Sequence, residues 1–191
     1  TLFSSLYYFN GPLKSGSLRD IHLIRNGEKI ASIDFYDYLL TGKMPKDQKL
    51  QIDDVIFVPN RLKTVKIHGE IKRPGFYEVK DDETLIDLIE IAGGLKTSAY
   101  LDRAQVDRII PFAERLESST DRVYTDVNLN SIINRLEDFS LKDSDNIQIF
   151  SILESRQNVV EISGAITRPG QYDIGASLML SELIEKADGL L

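Results

Sequence analysis

One stretch of this chain occurs twice. Val65 to Leu95 reads VKIHGEIKRPGFYEVKDDETLIDLIEIAGGL, and Val160 to Leu190 reads VEISGAITRPGQYDIGASLMLSELIEKADGL, an offset of 95 residues. Val65, Ile67, Gly69, Arg73-Pro74-Gly75 and Tyr77 return as Val160, Ile162, Gly164, Arg168-Pro169-Gly170 and Tyr172. Leu85, Leu88, Ile89, Ala92 and Gly94 return as Leu180, Leu183, Ile184, Ala187 and Gly189. An internal period constrains the fold before any local signal does, because every unit has to rebuild the same supersecondary structure. A chain of 191 residues holds about two such units, each near the size at which a core just supports itself, so neighbours are expected to stabilise one another.

Within the repeat, Val65, Ile67 and Ile71 alternate with Lys66, His68 and Glu70, the period-two pattern of a half-buried strand. Arg73-Pro74-Gly75 is expected to turn the chain: proline presets φ at the first central position of a type II turn, and Gly75 supplies positive φ at the second. Asp81, Asp82 and Glu83 place negative charge where a helix dipole favours it, with Thr84 as the expected cap. Leu85, Leu88, Ile89 and Ala92 then recur at helical spacing up to Gly93-Gly94.

Residues 1–60 align with the back of the same unit. At an offset of 83, Asn10-Gly11 falls on Gly93-Gly94 and Arg25 on Arg108; at an offset of 91, Leu50, Asp54, Ile56 and Val58 fall on Leu141, Asp145, Ile147 and Ile149. The chain is therefore expected to begin inside a helix with Leu2, Phe3, Leu6 and Tyr7 as its apolar stripe, and to be a segment of something longer, with any targeting signal outside it. Asn26-Gly27 between apolar runs predicts a tight hairpin. Ala31, Ile33 and Phe35 are read as the inward positions of its return strand, a short helix follows near Tyr36 to Leu40, and Leu50 to Pro59 reads as a strand buried on both faces. The resulting division is residues 1–60 as the end of a first repeat, 61–155 as a complete second and 156–191 as the start of a third.

The second unit departs from the first at Ile109 to Arg122, IIPFAERLESSTDR, which replaces the Asn26-Gly27 turn and precedes a strand expected at Val123 to Leu129. Extra residues in a hairpin cost little loop entropy. Pro111, Phe112, Glu114 and Arg115 are the candidates if this insertion meets a partner instead of being a tolerated surface loop.

Composition narrows the chemistry. No cysteine is present, which removes disulfides, thiolate nucleophiles and iron-sulfur ligation. A net charge of −7 without a basic stripe argues against nucleic acid, and no apolar run reaches the roughly 20 residues of a membrane span. His22 and His68 are read as solvated or locally paired. The carboxylates at Asp53-Asp54, Asp81 to Glu83, and Asp143 with Asp145 sit where turns or a helix start explain them. No nucleophile, metal or cofactor site is expected, and the chain reads as a non-enzyme. Arg73 with Tyr77 and Arg168 with Tyr172 could stack on and hydrogen-bond a sugar, although a repeat must also rebuild its own turn each time.

The strand ending at Gly69, Arg73-Pro74-Gly75, Tyr77, the Ala92-Gly93-Gly94-Leu95 helix end and the strand within Leu141 to Ile149 resemble the SLBB repeat, a soluble-ligand-binding β-grasp module. Gly164, Pro169, Gly170 and Gly189 repeat that motif. The resemblance implies an α+β fold of tandem β-grasp modules, each a small mixed sheet packed on one helix. It further implies a periplasmic part of an outer-membrane polysaccharide exporter of the capsule or exopolysaccharide type. The implied partners are other copies of the chain in a ring, the exported polysaccharide and an inner-membrane polysaccharide co-polymerase, with no cofactor. A carbohydrate-binding module gripping the polymer, or an accessory module of a redox or DNA-uptake protein, are the alternatives. Asn10-Gly11-Pro12 and Ala187-Asp188-Gly189-Leu190 depart from AGGL while keeping a turn-competent residue before glycine.

Overall fold

A computed structural model describes residues 1–42, 48–115 and 120–191. The architecture is mixed α+β, in two compact units, Thr1–Ile152 and Leu153–Leu191.

Helix α1, Leu2–Tyr8, begins the first unit, with Thr1 Oγ1 accepting from the Ser4 N–H at 3.3 Å. Leu2 and Leu6 point inward at i, i+4 spacing, whereas Tyr7, expected on the same stripe, is 84% exposed. Strands β1, Ile21–Arg25, and β2, Glu28–Ile33, pair antiparallel around Asn26 (φ 51°) and Gly27 (φ 84°), left-handed at both central positions as the turn requires. Helix α2, Phe35–Thr41, starts earlier than expected: the Asp34 carboxylate accepts the Tyr36 N–H at 2.9 Å and pulls Phe35 out of the strand. Phe35 stacks on Phe3, ring centroids 5.1 Å apart, beside the small core of Leu2, Leu23 and Ile33.

Strand β3, Val55–Phe57, corrects a second expectation. It is short, and the sheet order β2-β1-β3 makes it an edge, with Ile56 packed inward while Val55 and Phe57 are exposed. Apolar residues on both faces read as a buried strand, but burial is decided by a neighbour that local sequence does not encode.

A five-stranded sheet, β5-β4-β8-β6-β7, dominates the unit. Its strands are β4, Lys63–Gly69, β5, Gly75–Val79, β6, Ala99–Ile109, β7, Arg122–Val127, and β8, Asn146–Ser151. Between them lie helices α3, Leu85–Ile91, α4, Phe112–Arg115, and α5, Leu129–Ile133. Asn128 caps α5 through the Ser131 N–H at 3.1 Å, so Leu129, expected at the end of a strand, is helical. The inner sheet face, including Val65, Ile67, Val106, Ile147 and Ile149, buries against Leu85, Leu88 and Ile89 of α3 and Leu129 and Ile132 of α5. Each such fully buried aliphatic contributes about 1.5–3 kcal/mol. At the start of α3, Thr84 donates its N–H to Asp87 Oδ2 at 2.8 Å.

β4 and β8 run parallel, Ile67 opposite Ile147 and Gly69 opposite Ile149. Gly69 (φ 91°) is required there, since a Cβ would lie 2.0 Å from the Ile149 carbonyl oxygen. Gly75 is not left-handed and pairs with Ile67 at the head of β5. The expected type II turn at Gly75 is thus absent, and the reversal instead spans the residues between β4 and β5.

The two sheets of this unit are joined through buried charge. Arg19 donates to Asp34 (Nη2 to Oδ2, 3.1 Å), to Glu83 and to the Glu78 carbonyl. Burial opposes its charge, but the bonds to Glu83 and Asp34 outweigh that and raise its pKa. The buried Glu78 carboxylate accepts from Ser17 Oγ at 2.6 Å and from the Leu18 and Leu62 N–H groups.

The second unit holds the hairpin of β9, Val159–Ile162, and β10, Gly170–Asp173, with helix α6, Leu180–Lys186. Ile166, Leu183 and Ala187 are its buried apolar residues.

Candidate functional site

The doubled motif spends its side chains on its own backbone. Tyr77 donates its hydroxyl to the Arg73 carbonyl at 2.6 Å, and Tyr172 does the same to Arg168, also at 2.6 Å. Arg73 Nη2 donates to the Ile91 carbonyl at 3.0 Å, capping α3, and the guanidinium covers Gly93 so closely that a Cβ there would lie 2.9 Å from Nε. In the second unit Asp188 occupies the place of Gly93 and meets Arg168 Nε at 2.5 Å. Partial burial raises the Tyr77 pKa. Arg73 and Tyr77 line one rim of a groove of about 260 Å³ with Leu18, Tyr36 and Phe76. Pro74 and Pro169 lie exposed in the turns, and Gly94, Gly164, Gly170 and Gly189 all have positive φ.

At the insertion, Phe112 is 83% exposed and Arg115 lies over its ring, 4.5 Å from the centroid. Arg115 Nε donates to the Ile110 carbonyl at 2.6 Å, and Glu114 reaches Lys142 at 3.8 Å. Pro111, Phe112 and Arg115 line a cleft of about 330 Å³ with Lys142 to Ser144. Residues 116–119 of the insertion lie outside the described residues.

The outer face of the five-stranded sheet was not anticipated. The strand register places Phe76, Lys66, Asn146, Asp107 and Tyr124 in one row, with His68, Gln148, Gln105 and Asp126 in the next. Lys66 Nζ sits 5.7 Å from the Phe76 ring centroid, and His68, Gln105, Asp107, Tyr124, Asn146 and Gln148 surround a depression of about 130 Å³. The Asn146 Oδ1 is buried and accepts no hydrogen bond among the described residues. Phe76 and Tyr124, 70% and 67% exposed, stand on the two outer strands of this platform. Carboxamides, a carboxylate and an imidazole between two aromatic rings can bind a polyhydroxylated chain by hydrogen bonding and ring stacking. Strand alternation carried the signal, since every second residue here is polar.

His22 Nε2 lies 2.6 Å from Asp20 Oδ1, the local pairing expected of it. Among the described residues no group of three His, Asp or Glu side chains is placed to hold a metal, and no helix is long and apolar enough to cross a membrane.

The SLBB domain family matches residues 64–118, a stretch running from β4 into the insertion. No curated protein matches the chain.

Proposed function

We propose that this chain is a non-catalytic periplasmic segment of an outer-membrane-associated polysaccharide export machine, built of tandem β-grasp SLBB modules divided near residues 60 and 155. Its modules pack on one another and on other copies to line a conduit, working with an inner-membrane co-polymerase and requiring no cofactor. The observation that carries this reading is that the recurring Arg, Tyr and Gly positions go into turns and helix ends, as a scaffold module needs, alongside the SLBB match at 64–118. Removing the coding region of residues 1–191 in the native host is expected to abolish surface polysaccharide while its precursors still accumulate. Unchanged surface polysaccharide overturns the proposal.

A second reading, direct contact with the polymer, is favoured by the outer sheet face more than by Arg73 and Tyr77, whose Nη2 and hydroxyl already donate to the Ile91 and Arg73 carbonyls. NMR titration with the cognate glycan is expected to shift Tyr124, Gln148 and Gln105 resonances, and the Tyr124→Ala variant to lose the effect. Shifts elsewhere, or none, sink it.

A further inference from the structure

The polar outer face of the five-stranded sheet is not rebuilt by the other repeats. A residue that the fold needs comes back from unit to unit, as Arg73-Pro74-Gly75 comes back as Arg168-Pro169-Gly170. Lys66, His68 and Phe76 instead fall on Glu161, Ser163 and Gln171 at the offset of 95. Asn146 and Gln148 fall on Val55 and Phe57 at the offset of 91, and Gln105 and Asp107 on His22 and Ile24 at 83. Val55 and Phe57 belong to β3 as Asn146 and Gln148 belong to β8, so the strand forms with apolar residues at these places. The polar face of the second unit therefore answers to something besides folding.

Its side chains are also unspent. His68, Gln105, Gln148 and Tyr124 make no side-chain hydrogen bond to a partner among the described residues, and Asn146 Oδ1 is buried without a donor. Tyr77 and Tyr172 are the opposite case, with hydroxyls committed to their own turns. A buried acceptor without a donor is costly, and a ligand hydroxyl that reaches it removes that cost.

Charge narrows the ligand. Arg122 Nη2 holds Asp107 Oδ2 at 3.0 Å, and Arg103 Nε holds Asp126 Oδ1 at 3.0 Å. Glu78, on the same face of β5 as Phe76, is buried and accepts from Ser17, Leu18 and Leu62. Asp143 accepts the Thr64 N–H, beyond the end of the two rows. Lys66 is exposed, lies 5.7 Å from the Phe76 ring centroid and has no carboxylate partner among the described residues. Within the two rows the carboxylates are thus neutralised while an ammonium next to an imidazole is not, on a chain whose net charge is −7. Such a surplus attracts an anion. A bare anion would leave the carboxamides and both rings unused, so the anion has to carry hydroxyls and ring faces of its own.

We infer that the outer face of the β5-β4-β8-β6-β7 sheet binds an acidic saccharide, a chain of sugar rings bearing carboxylates. A carboxylate meets Lys66 and His68, a hydroxyl donates to Asn146 Oδ1, and rings stack on Phe76 and Tyr124. Four inter-strand spacings, roughly 19 Å, separate the two outer strands and leave room for several rings. This rests on the reading of the face as a polymer contact and names the class of polymer.

The test is NMR titration of the full chain with short oligomers of galacturonate, mannuronate and guluronate, each compared with its methyl ester, which keeps the hydroxyls and loses the charge. Saturable shifts at Lys66, His68 and Tyr124 are expected with the acids, and binding at least about tenfold weaker with the esters, the loss that goes with one charged hydrogen bond. Lys66→Gln should reduce the preference for acid over ester about tenfold. Asn146→Val should weaken acid and ester alike, and should keep the wild-type circular dichroism because the first repeat carries Val55 at that place. Esters that bind as well as the acids would leave polymer contact standing and overturn the acidic class. Absence of saturable shifts with every oligomer to about 10 mM overturns both. Equal binding of a polyglutamate peptide would make the face a general anion surface and also overturns the inference.

Discussion

Arg108 holds Asp145 by two hydrogen bonds, Nε to Oδ1 at 2.9 Å and Nη2 to Oδ2 at 2.7 Å, and Arg25 holds Asp54 in the same geometry at 2.8 and 2.9 Å. Each arginine also donates to a loop carbonyl, Ser140 or Lys49, and each aspartate accepts an N–H from three residues back, Lys142 or Gln51. The clamp ties the loop before the last strand of a module to the end of its neighbouring strand. Asp145 is fully buried, so the Arg108→Ala variant leaves a carboxylate uncompensated and should lose about 3 kcal/mol in urea denaturation. A loss below about 0.5 kcal/mol would show the pair to be dispensable.

The first copy of the clamp sets a pH dependence. The Arg25 guanidinium and the Gln51 N–H hold the Asp54 carboxyl down at about 2, and the bonds from Arg19 and Lys80 outweigh burial to lower Asp34 as well. With folded pKa values below the unfolded ones, their stabilisation is complete above about pH 4 and fades as pH falls toward 2. Melting temperatures measured from pH 6 to 2 should drop less steeply in the Asp54→Asn variant than in the wild type. Parallel curves would refute the assignment.

Two glycines of one motif should behave in opposite ways. Gly69→Ala drives a Cβ into the Ile149 carbonyl at a left-handed φ and is expected to cost about 3 kcal/mol or more. Gly75→Ala meets only a Tyr77 ring carbon at 3.8 Å and should stay within about 0.5 kcal/mol. Thermal denaturation of the pair decides whether the left-handed conformation or the RPG sequence is what the fold requires.

The Arg19 junction should fail as a unit. Arg19→Ala removes the one donor shared by Asp34, Glu83 and the Glu78 carbonyl, leaving Asp34 to Lys80 and the Tyr36 N–H and Glu83 to the Lys80 N–H, and the expected result is an earlier transition for residues 1–62, followed by hydrogen exchange. Arg19→Lys should rescue little of it, because an ammonium cannot span three acceptors in the plane of a guanidinium. Uniform exchange along the first unit would count against the junction.

What could be read ahead of the structure follows from what repeats. The Asn26-Gly27 turn and the Leu85, Leu88, Ile89 stripe are local patterns with local causes, and both form where expected. Arg25 with Arg108 and Asp54 with Asp145 occupy matching places in the repeat, so opposite charges recurring together are the signal for the clamp. The caps at Asp34 and Asn128 were also legible by residue type, and it is these caps that put Phe35 and Leu129 into helices instead of strands. Arg19 is different: its partners lie 15 and 64 residues away and occur once, so no pattern announces them. The edge position of β3 was hidden for a related reason, since an apolar strand looks alike whether or not a neighbour lies beside it.

The parallel register of β4 with β8 carries a consequence for how the module is made. Lys66 pairs with Asn146, so the first strand of the sheet waits for the last, and everything between must be threaded through before the centre can close. A chain synthesised or translocated from its N-terminus exposes β4, β5 and α3 for that whole interval, and non-local closure of this kind is slow. The vulnerable moment for aggregation or proteolysis is therefore set by the arrival of β8, and a chaperone serving this protein would have to cover β4 until then.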